Sequence, residues 1–223
     1  AAHADCGPNA QQSAKPAVNP STATLEAICQ GLTDRGWLVL DDALAPTLLQ
    51  ALRARLHELP DHAFHRAGVG RQGDHSLQPD YRSDRIHWLE AAAPAEQDWL
   101  SWADAVRQHV NRHLFMGLQT YEAHFAHYAP GQRYGRHVDA FRGQANRTLS
   151  SVLYLNETWA DDDGGELLIY PDASAPDRAT RVSPKPGRLV MFLSEDMPHE
   201  VLPAHRDRYS IAGWFRVRGA SAW

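Results

Sequence analysis

The sequence predicts a mainly β fold in which N-terminal helices precede a strand-rich barrel. Up to about residue 114 apolar side chains recur at helical spacing, whereas short extended runs separated by turns dominate from Gln119 onward. The candidate metal ligands stand at positions 137, 139 and 199, far apart along the chain. Only a closed or nearly closed sheet brings such distant strands to one ion, so we expect a barrel.

Three helices are predicted before the barrel. Ser21 is a suitable N-cap because its hydroxyl can accept a hydrogen bond from the first turn, and Gly36 suits the end of that helix. Pro46 suits the first turn of the second helix, where a missing N–H costs no hydrogen bond. The predicted helices span Ser21–Asp34, Pro46–Leu59 and Ala95–Leu114, and a strand at Trp37–Leu40 separates the first two.

The barrel itself is predicted from extended runs bounded by turn residues. The first twenty residues have almost no large apolar side chain, which predicts a flexible extension over 1–20 and a single domain over 21–219. The extended runs are Tyr121–Tyr128, Arg147–Asn156, Glu166–Tyr170, Arg181–Ser183, Arg188–Leu193, His199–Leu202 and Tyr209–Val217.

Two of these runs alternate in a way that predicts a cavity. On Arg147–Asn156, small polar residues share a face with Tyr154, and leucines occupy the opposite face. On the last strand, Arg208 and Trp214 share a face opposite apolar residues. We infer that the apolar faces pack against the helices and that the small polar faces line a ligand cavity. Tyr154 and Arg208 would then meet inside it.

His137, Asp139 and His199 form the candidate metal site. Residues two apart in a strand point the same way, so His137 and Asp139 face one ion if Tyr134–Phe141 is extended. Two imidazoles and one carboxylate on one face of iron(II) leave the opposite positions open for a co-substrate and O₂. We therefore predict that these three residues bind iron(II) and form the catalytic centre.

Arg208, on the strand after the last ligand, indicates the co-substrate. A planar guanidinium binds a carboxylate through two parallel hydrogen bonds. A metal site combined with a carboxylate anchor indicates a 2-oxoglutarate-dependent oxygenase. The other histidines, including His124 and His127 on one predicted strand, are interpreted as surface or core residues without a chemical role.

Composition and charge exclude several other classes. The chain has 223 residues, a net charge of -5 and a pI near 6.2, which argues against a nucleic-acid-binding surface. Its two cysteines, Cys6 and Cys29, provide no disulfide framework, which favours a reducing compartment. No apolar run approaches the length of a membrane span, and the N-terminus does not resemble a signal peptide. We expect a cytoplasmic monomer that binds neither nucleic acid nor membranes.

Several motifs together resemble one known family. The chain is similar, from about Gly36 to Arg216, to the prolyl 4-hydroxylase branch of the iron(II)/2-oxoglutarate oxygenases, specifically the Egl-nine-type prolyl hydroxylases and their bacterial relatives. Residues 140–146 are not closely shared with the animal enzymes, so substrate identity does not transfer. The motifs are His137-Val138-Asp139, the run Ser150–Asn156, Gly164-Gly165-Glu166-Leu167, Pro198-His199-Glu200-Val201 and Arg208-Tyr209-Ser210-Ile211.

The resemblance implies a double-stranded β-helix, or jelly roll, flanked by helices. It implies that His137, Asp139 and His199 are the iron ligands. Further matches, all inside the proposed cavity, concern the binding of 2-oxoglutarate. Arg208 and Tyr154 match the pair that binds its distal carboxylate, Tyr128 a tyrosine near its iron-proximal end, and Trp214 a tryptophan beside the site.

The resemblance also names candidates for substrate binding. Arg147 matches an arginine at the substrate entrance. The segment Tyr81–Trp88 is similar to the mobile substrate-covering loop of the group, which adds Arg82 and Asp84. The glycine-containing stretch Arg66–Arg85 has little apolar periodicity, and long stretches of this kind are commonly lids. We expect Asp84 to pair with Arg147 when this loop closes over a peptide.

The activity that the resemblance implies is that of an iron(II)- and 2-oxoglutarate-dependent dioxygenase. It would hydroxylate C4 of a prolyl residue in a protein, consume O₂, release succinate and CO₂, and use ascorbate as reductant. A hydroxylase of a free amino acid or other small metabolite is an alternative that shares every feature except the peptide-closing loop. A zinc-dependent hydrolase could use the same ligands, but Arg208 and Tyr154 would then serve no purpose. A cupin-type binding module would usually carry a His-x-His pair, which is missing.

Overall fold

The computed structural model describes residues 19–68, 81–140 and 146–218. In this part of the chain three α-helices and three short strands precede β4 (Thr120–Tyr128), and the strands form two antiparallel sheets. The helices are α1 (Thr22–Arg35), α2 (Pro46–Glu58) and α3 (Pro94–Leu114). The strands are β1 (Trp37–Leu40), β2 (His65–Arg66), β3 (Arg85–Trp88), β4 (Thr120–Tyr128), β5 (Tyr134–His137), β6 (Arg147–Tyr154), β7 (Leu167–Ile169), β8 (Thr180–Val182), β9 (Leu189–Leu193), β10 (His199–Val201) and β11 (Arg208–Arg216).

The three predicted helices are confirmed to within about a residue at their ends. The Ser21 hydroxyl accepts a hydrogen bond from the backbone N–H of Thr24 at 3.1 Å, which caps α1. Gly36 closes the same helix in the left-handed conformation with φ of 75°. Proline stands in the first turn of both α2 and α3. Most of the predicted extension, residues 1–18, lies outside the described residues, so the domain boundary stays a prediction.

The two sheets confirm the mainly β prediction. The larger sheet has the strand order β1-β9-β6-β11-β4-β3-β2, and the smaller sheet has the order β5-β10-β7-β8. The strands of both sheets pair antiparallel in the described residues, and the register sets Arg208 of β11 opposite Tyr128 of β4 and Ser210 opposite Tyr154 of β6. This register places the candidate anchor residues on neighbouring strands of one sheet.

One hairpin was absent from the sequence prediction. Arg66 in β2 pairs with Arg85 in β3, so the ends of the predicted loop are joined as two strands. Asp84, Ile86 and Trp88 are each separated by one charged or polar residue. This alternation with a period of two indicates a strand, but the many charged residues make it hard to recognise in the sequence. Residues 69–80, the middle of the predicted lid, lie outside the described residues. The described remainder of that segment is an ordered edge of the large sheet.

The predicted division of strand faces is confirmed. Leu149, Leu153, Ile211 and Phe215 are buried in one cluster with side chains from all three helices. The opposite faces of the same strands border a second cluster between the two sheets, which contains Tyr154. The helices therefore cover the outer face of the large sheet and leave its inner face to the cavity.

Glu96 is a buried charge that connects the helical layer. Its side chain is fully buried in the first turn of α3, where Oε1 accepts a hydrogen bond from Nε of Arg55 in α2 at 2.7 Å. Its Oε2 accepts from the backbone N–H groups of Glu90 and Ala92 at 3.2 Å each. One carboxylate thus accepts hydrogen bonds from a side chain of the neighbouring helix and from two backbone N–H groups of the segment that leads into α3.

We expect Glu96→Ala to lower the free energy of unfolding by about 2 to 4 kcal/mol, because Arg55 and two backbone N–H groups lose their acceptor. Urea unfolding followed by circular dichroism measures the change. Glu58→Ala, which removes an exposed carboxylate at the end of α2, is the matched control and should change the stability by less than about 0.5 kcal/mol. Equal stability of the two variants would contradict a structural role for Glu96.

Candidate active site

The three predicted metal ligands converge on one point between the sheets. One potential ligand atom from each of His137, Asp139 and His199 lies within 4.8 Å of the other two. In the described part of the chain, these three residues form the cluster of side chains that could hold a metal ion. The rings of His137 and His199 are 4.2 Å apart, because β5 and β10 pair with these two residues opposite each other. Asp139 follows β5 in a bend, so the expectation of an extended strand through residue 141 is wrong. The bend turns the carboxylate toward the same point.

Backbone carbonyl groups orient both imidazoles. Nδ1 of His137 is 2.8 Å from the carbonyl oxygen of Gly135, and Nδ1 of His199 is 2.9 Å from that of Met197. A ring that donates its Nδ1–H to a carbonyl keeps Nε2 unprotonated, which is the form that binds a metal ion. Nε2 is also the atom that each ring points toward Asp139, at 3.5 Å for His137 and 3.8 Å for His199.

The carboxylate of Asp139 is held in its charged form. Burial alone would raise its pKa, but the neighbouring His199 and His137 and a hydrogen bond from Ser150 hold the pKa well below its usual range. The Ser150 hydroxyl donates to Oδ2 of Asp139 at 2.6 Å and also lies 2.8 Å from the Ser194 hydroxyl. Burial lowers the pKa of His199 to about 4, and His137 adds to this effect. Two neutral imidazoles and an ionised carboxylate are a donor set that fits iron(II).

Arg208 lines the cavity and meets Tyr154 behind the cavity wall. Nη2 of Arg208 is 3.5 Å from the Tyr154 hydroxyl, and both side chains are almost fully buried. Nε of Arg208 donates to the carbonyl oxygen of Gly165 at 2.8 Å. A Cβ at Gly165 would lie 3.2 Å from Cδ of Arg208, and the residue has a φ of 69°, so glycine suits this close approach. The guanidinium is fixed, and no carboxylate is among its hydrogen-bond partners in the described part of the chain.

Tyr128 and Trp214 also line this cavity, together with the metal ligands. Tyr128 stands beside Arg208, whose guanidinium carbon is 5.1 Å from the centre of its ring. Burial raises the pKa of Tyr128 well above its usual value, with the Asp84 carboxylate adding to the shift, so the phenol stays protonated and can donate a hydrogen bond. The structure thus brings together all seven residues predicted to bind metal or co-substrate.

Two of the substrate-binding candidates, Asp84 and Arg147, pair with other residues of the chain. Asp84 is buried in the cavity wall and accepts hydrogen bonds from Arg82 at 2.8 and 3.1 Å. Arg147 instead pairs with Glu122 at 2.8 Å and lies over the Trp214 ring at 3.9 Å. In this structure each of the two side chains therefore has a nearer partner of opposite charge, and the pairing of Asp84 with Arg147 expected when the loop closes over a peptide stays a prediction.

His124 is a cavity residue that the sequence interpretation missed. It is 2% exposed, lines the cavity, and its ring lies 5.0 Å from that of Trp88 and 5.3 Å from that of Trp214. Burial lowers its pKa to about 3, and the charge of Arg82 contributes to this shift. A signal was present in the sequence: Tyr128 was assigned to the site, and residues two and four positions away on the same strand share its face.

We expect His124 to make the metal-free protein sensitive to acid. Its pKa of about 3 lies below the ordinary value of 6.5, so the unfolded chain takes up a proton that the folded chain excludes between these two values. Stability should therefore fall as the pH drops from 6.5 toward 3, by about 1.4 kcal/mol per pH unit from this residue. Urea unfolding in the presence of a chelator at several pH values measures the slope.

The variant His124→Leu should lower that slope by the contribution of one histidine because the leucine cannot take up a proton, while His199, whose pKa is also lowered, still contributes. His113→Leu, which removes an exposed histidine of α3, is the matched control and should leave the slope close to that of the wild type. A wild-type slope in His124→Leu would show that the acid sensitivity arises elsewhere in the chain.

Comparison with known proteins places this site in a family. The model of the 2OG-Fe(II) oxygenase superfamily matches residues 123–216, which contain the metal ligands and the Arg208–Tyr154 pair. A crystal structure of a Pseudomonas putida prolyl-4-hydroxylase shares 38% sequence identity, with a TM-score of 0.78 over 87% of this chain and 100% of that chain. The chain belongs to the 2OG-Fe(II) oxygenase superfamily. Within it, the chain falls in the prolyl 4-hydroxylase branch, and the predicted jelly-roll fold is confirmed.

Curated animal relatives support the same assignment. The chain is 31% identical over 201 residues to Egl nine homolog 1 of Homo sapiens, covering 86% of this chain and 46% of that protein. It is 28% identical over 203 residues to the hypoxia-inducible factor prolyl hydroxylase of Caenorhabditis elegans, covering 85% of this chain and 28% of that protein. The chain thus spans less than half the length of these two relatives.

No helix in the described part of the chain is long and apolar enough to cross a membrane.

Proposed function

We propose that this protein is a 2-oxoglutarate-dependent dioxygenase that hydroxylates C4 of a prolyl residue in a protein substrate. The reaction consumes O₂ and 2-oxoglutarate and yields 4-hydroxyproline, succinate and CO₂. One oxygen atom of O₂ enters the new hydroxyl group and the other enters succinate. When bound, iron(II) supplies the activation of O₂, a step for which no protein side chain is suited.

The observation that carries the proposal is the presence of two anchors in one cavity. His137, Asp139 and His199 can hold a metal ion, and the buried Arg208–Tyr154 pair can bind a distal carboxylate. 2-Oxoglutarate is a small dianion with a carboxylate at each end, so one anchor suits each end. The 38% identity to a bacterial prolyl-4-hydroxylase over the whole of that chain supports proline as the residue modified.

The remaining cavity residues have roles that follow from their contacts. Tyr128 stays protonated beside Arg208 and can donate a hydrogen bond to a co-substrate oxygen. Trp214 separates the metal site from Arg147, whose guanidinium covers the outer face of its ring. Arg82, Asp84 and Arg147 are proposed to contact the protein substrate, because Arg82 and Asp84 line the cavity and Arg147 lies over the ring of Trp214, which also lines it.

A zinc-dependent hydrolase is disfavoured by the same geometry. Hydrolysis at a zinc-bound water needs no buried arginine and tyrosine directed at a second carboxylate. The pair is also expensive to bury unless a ligand completes it, since a buried guanidinium needs an anionic or strongly polar partner. Dependence of turnover on 2-oxoglutarate distinguishes the two classes.

A hydroxylase of free amino acids is the stronger rival, and a substrate screen separates it from the proposal. The iron-loaded protein is incubated with 2-oxoglutarate, O₂ and short blocked peptides, each with a single proline, and in parallel with free L-proline and other amino acids. We expect a mass increase of about 16 Da on one or more peptides, with fragmentation and hydrolysis placing the oxygen at C4 of proline. Hydroxylation of free amino acids alone, with every peptide unchanged, would contradict the proposal.

Three further features are proposed: ascorbate as reductant, a monomeric protein and a cytoplasmic location. Ascorbate would keep the iron reduced between turnovers, as the family resemblance implies. A monomeric protein and a cytoplasmic location rest on the composition and cysteine content of the sequence.

A further inference from the structure

The strand register places His124 at the end of the cavity that a substrate would occupy. His124 of β4 stands opposite Ala212 of β11, which in turn stands opposite Val152 of β6. It is four residues from Tyr128 along β4, about 14 Å from the level at which Arg208 stands, and this exceeds the reach of a five-carbon diacid bound at Arg208. His124 therefore borders the space beyond the co-substrate.

The same register sets the distance between His124 and the metal site. Ser150, which donates to the ligand Asp139, is on β6, and β11 separates β6 from β4. Two strand spacings amount to about 10 Å. Trp214 lies between the two, with its ring 5.3 Å from that of His124. A substrate whose reacting carbon lies at the metal, and whose chain continues for several atoms beyond that carbon, would thus extend over Trp214 to His124.

Two ring nitrogens on this wall have no hydrogen-bond partner in the described part of the chain. They are Nδ1 of His124 and Nε1 of Trp214, from side chains that are 2% and 7% exposed. A buried polar nitrogen without a partner is destabilising, and such groups in folded proteins usually have a functional explanation. Both residues line the cavity, so an occupant of the cavity is the candidate partner for these nitrogens.

The charges around this wall favour a neutral occupant. Burial keeps His124 neutral, with a pKa of about 3. Arg82 is paired with Asp84 and Arg147 with Glu122. A free carboxylate would only accept hydrogen bonds and a free ammonium would only donate them, whereas a peptide backbone offers both an N–H donor and a C=O acceptor. The indole N–H requires an acceptor, and an unprotonated imidazole nitrogen requires a donor.

We propose that His124 is a specificity-determining residue that accepts a hydrogen bond from the backbone N–H of the substrate residue following the target proline, while Trp214 donates to a neighbouring backbone carbonyl. Proline has no N–H of its own, so the donor belongs to a flanking residue, and the proposal commits to the one that follows. The proposal rests on the proposed prolyl hydroxylation. It assigns to this end of the cavity the recognition of a peptide backbone over a free amino acid.

A methylated peptide tests the hydrogen bond directly. The probe is the blocked peptide that the wild type hydroxylates fastest in the screen, made with and without an N-methyl group on the residue after proline. Calorimetry measures binding of both to the iron-loaded protein with 2-oxoglutarate under anaerobic conditions. We expect methylation to weaken binding to the wild type about tenfold, as is typical for loss of one hydrogen bond. N-methylation of a residue far from the proline is the peptide control.

Two variants complete a double-mutant cycle. His124→Leu should bind the parent peptide about tenfold more weakly than the wild type and should no longer distinguish it from the methylated peptide. His124→Asn should restore part of the discrimination, because its side-chain oxygen lies near the position of Nδ1 and accepts a hydrogen bond. His87→Leu is the matched control, since His87 is on β3, outside the cavity lining, with its ring bound to the carbonyl of Ala63.

The outcomes separate the inference from the function on which it rests. If the wild type hydroxylates no peptide, both are overturned. If the wild type hydroxylates peptides but His124→Leu discriminates against the methylated peptide as strongly as the wild type does, only the role of His124 is overturned. If His124→Leu weakens the binding of both peptides equally, so that discrimination is retained, His124 has a structural role instead.

Discussion

Asp139→Ala is expected to abolish iron(II) binding and all turnover of 2-oxoglutarate. The variant loses the one anionic ligand of the site and leaves two neutral imidazoles, which hold iron(II) weakly. Anaerobic addition of iron(II) and 2-oxoglutarate to the wild type should produce a weak visible charge-transfer band, because the keto acid chelates the metal. The band should be absent in Asp139→Ala and in His137→Ala.

Asp104→Ala is the control for this experiment. It also removes a carboxylate, but one that pairs with Arg107 on the exposed side of α3. Its band and its rate of succinate formation should match those of the wild type. A band of unchanged intensity in both Asp139→Ala and His137→Ala would show that the metal binds elsewhere.

Arg208→Ala is expected to weaken 2-oxoglutarate binding by about 2 to 5 kcal/mol while iron(II) binding is retained. The guanidinium is buried and fixed by the carbonyl of Gly165, so its removal deletes charge-assisted hydrogen bonds that water cannot replace. Titration of the charge-transfer band with 2-oxoglutarate measures the affinity. Arg208→Lys should recover only part of it, because lysine keeps the charge but lacks the planar pair of donors.

Arg181→Ala gives a comparison of the same chemical change at the surface. Arg181 pairs with Glu166 and its side chain is 60% exposed, so we expect less than a twofold change in 2-oxoglutarate affinity. If Arg208→Ala and Arg181→Ala bound 2-oxoglutarate equally well, Arg208 would not be the anchor.

Periodicity and residue chemistry predicted the part of the site that lies on regular strands. The meeting of Tyr154 and Arg208 on one face of the large sheet follows from alternation along two strands, because the position of a residue in the alternation fixes the face of its side chain. The same rule applied along β4 would have placed His124 beside Tyr128. The sequence alone does not single out His124, because a histidine in an apolar strand is more often an ordinary core residue.

Features that depend on pairing between distant segments were harder to predict. The hairpin of β2 and β3 lies among charged residues, and its register is set by partners on β4 and not by its own sequence. Likewise, the sequence shows that Asp84 and Arg147 have opposite charge, but not that Arg82 and Glu122 are nearer to them. Glu96 gives no signal, because a glutamate in the first turn of a helix is usually exposed.

The hydrogen bond from Ser150 to Asp139 has a consequence for the denticity of the carboxylate. Oδ2 of Asp139 accepts a hydrogen bond from the Ser150 hydroxyl at 2.6 Å, while Oδ1 is the oxygen nearer His137. An oxygen engaged in this way is a poor second ligand, so the aspartate favours monodentate binding through the other oxygen. The protein would then occupy three positions of a six-coordinate ion and leave three for a bidentate keto acid and O₂. A serine that never touches the metal thereby sets how many small molecules the metal can hold at once.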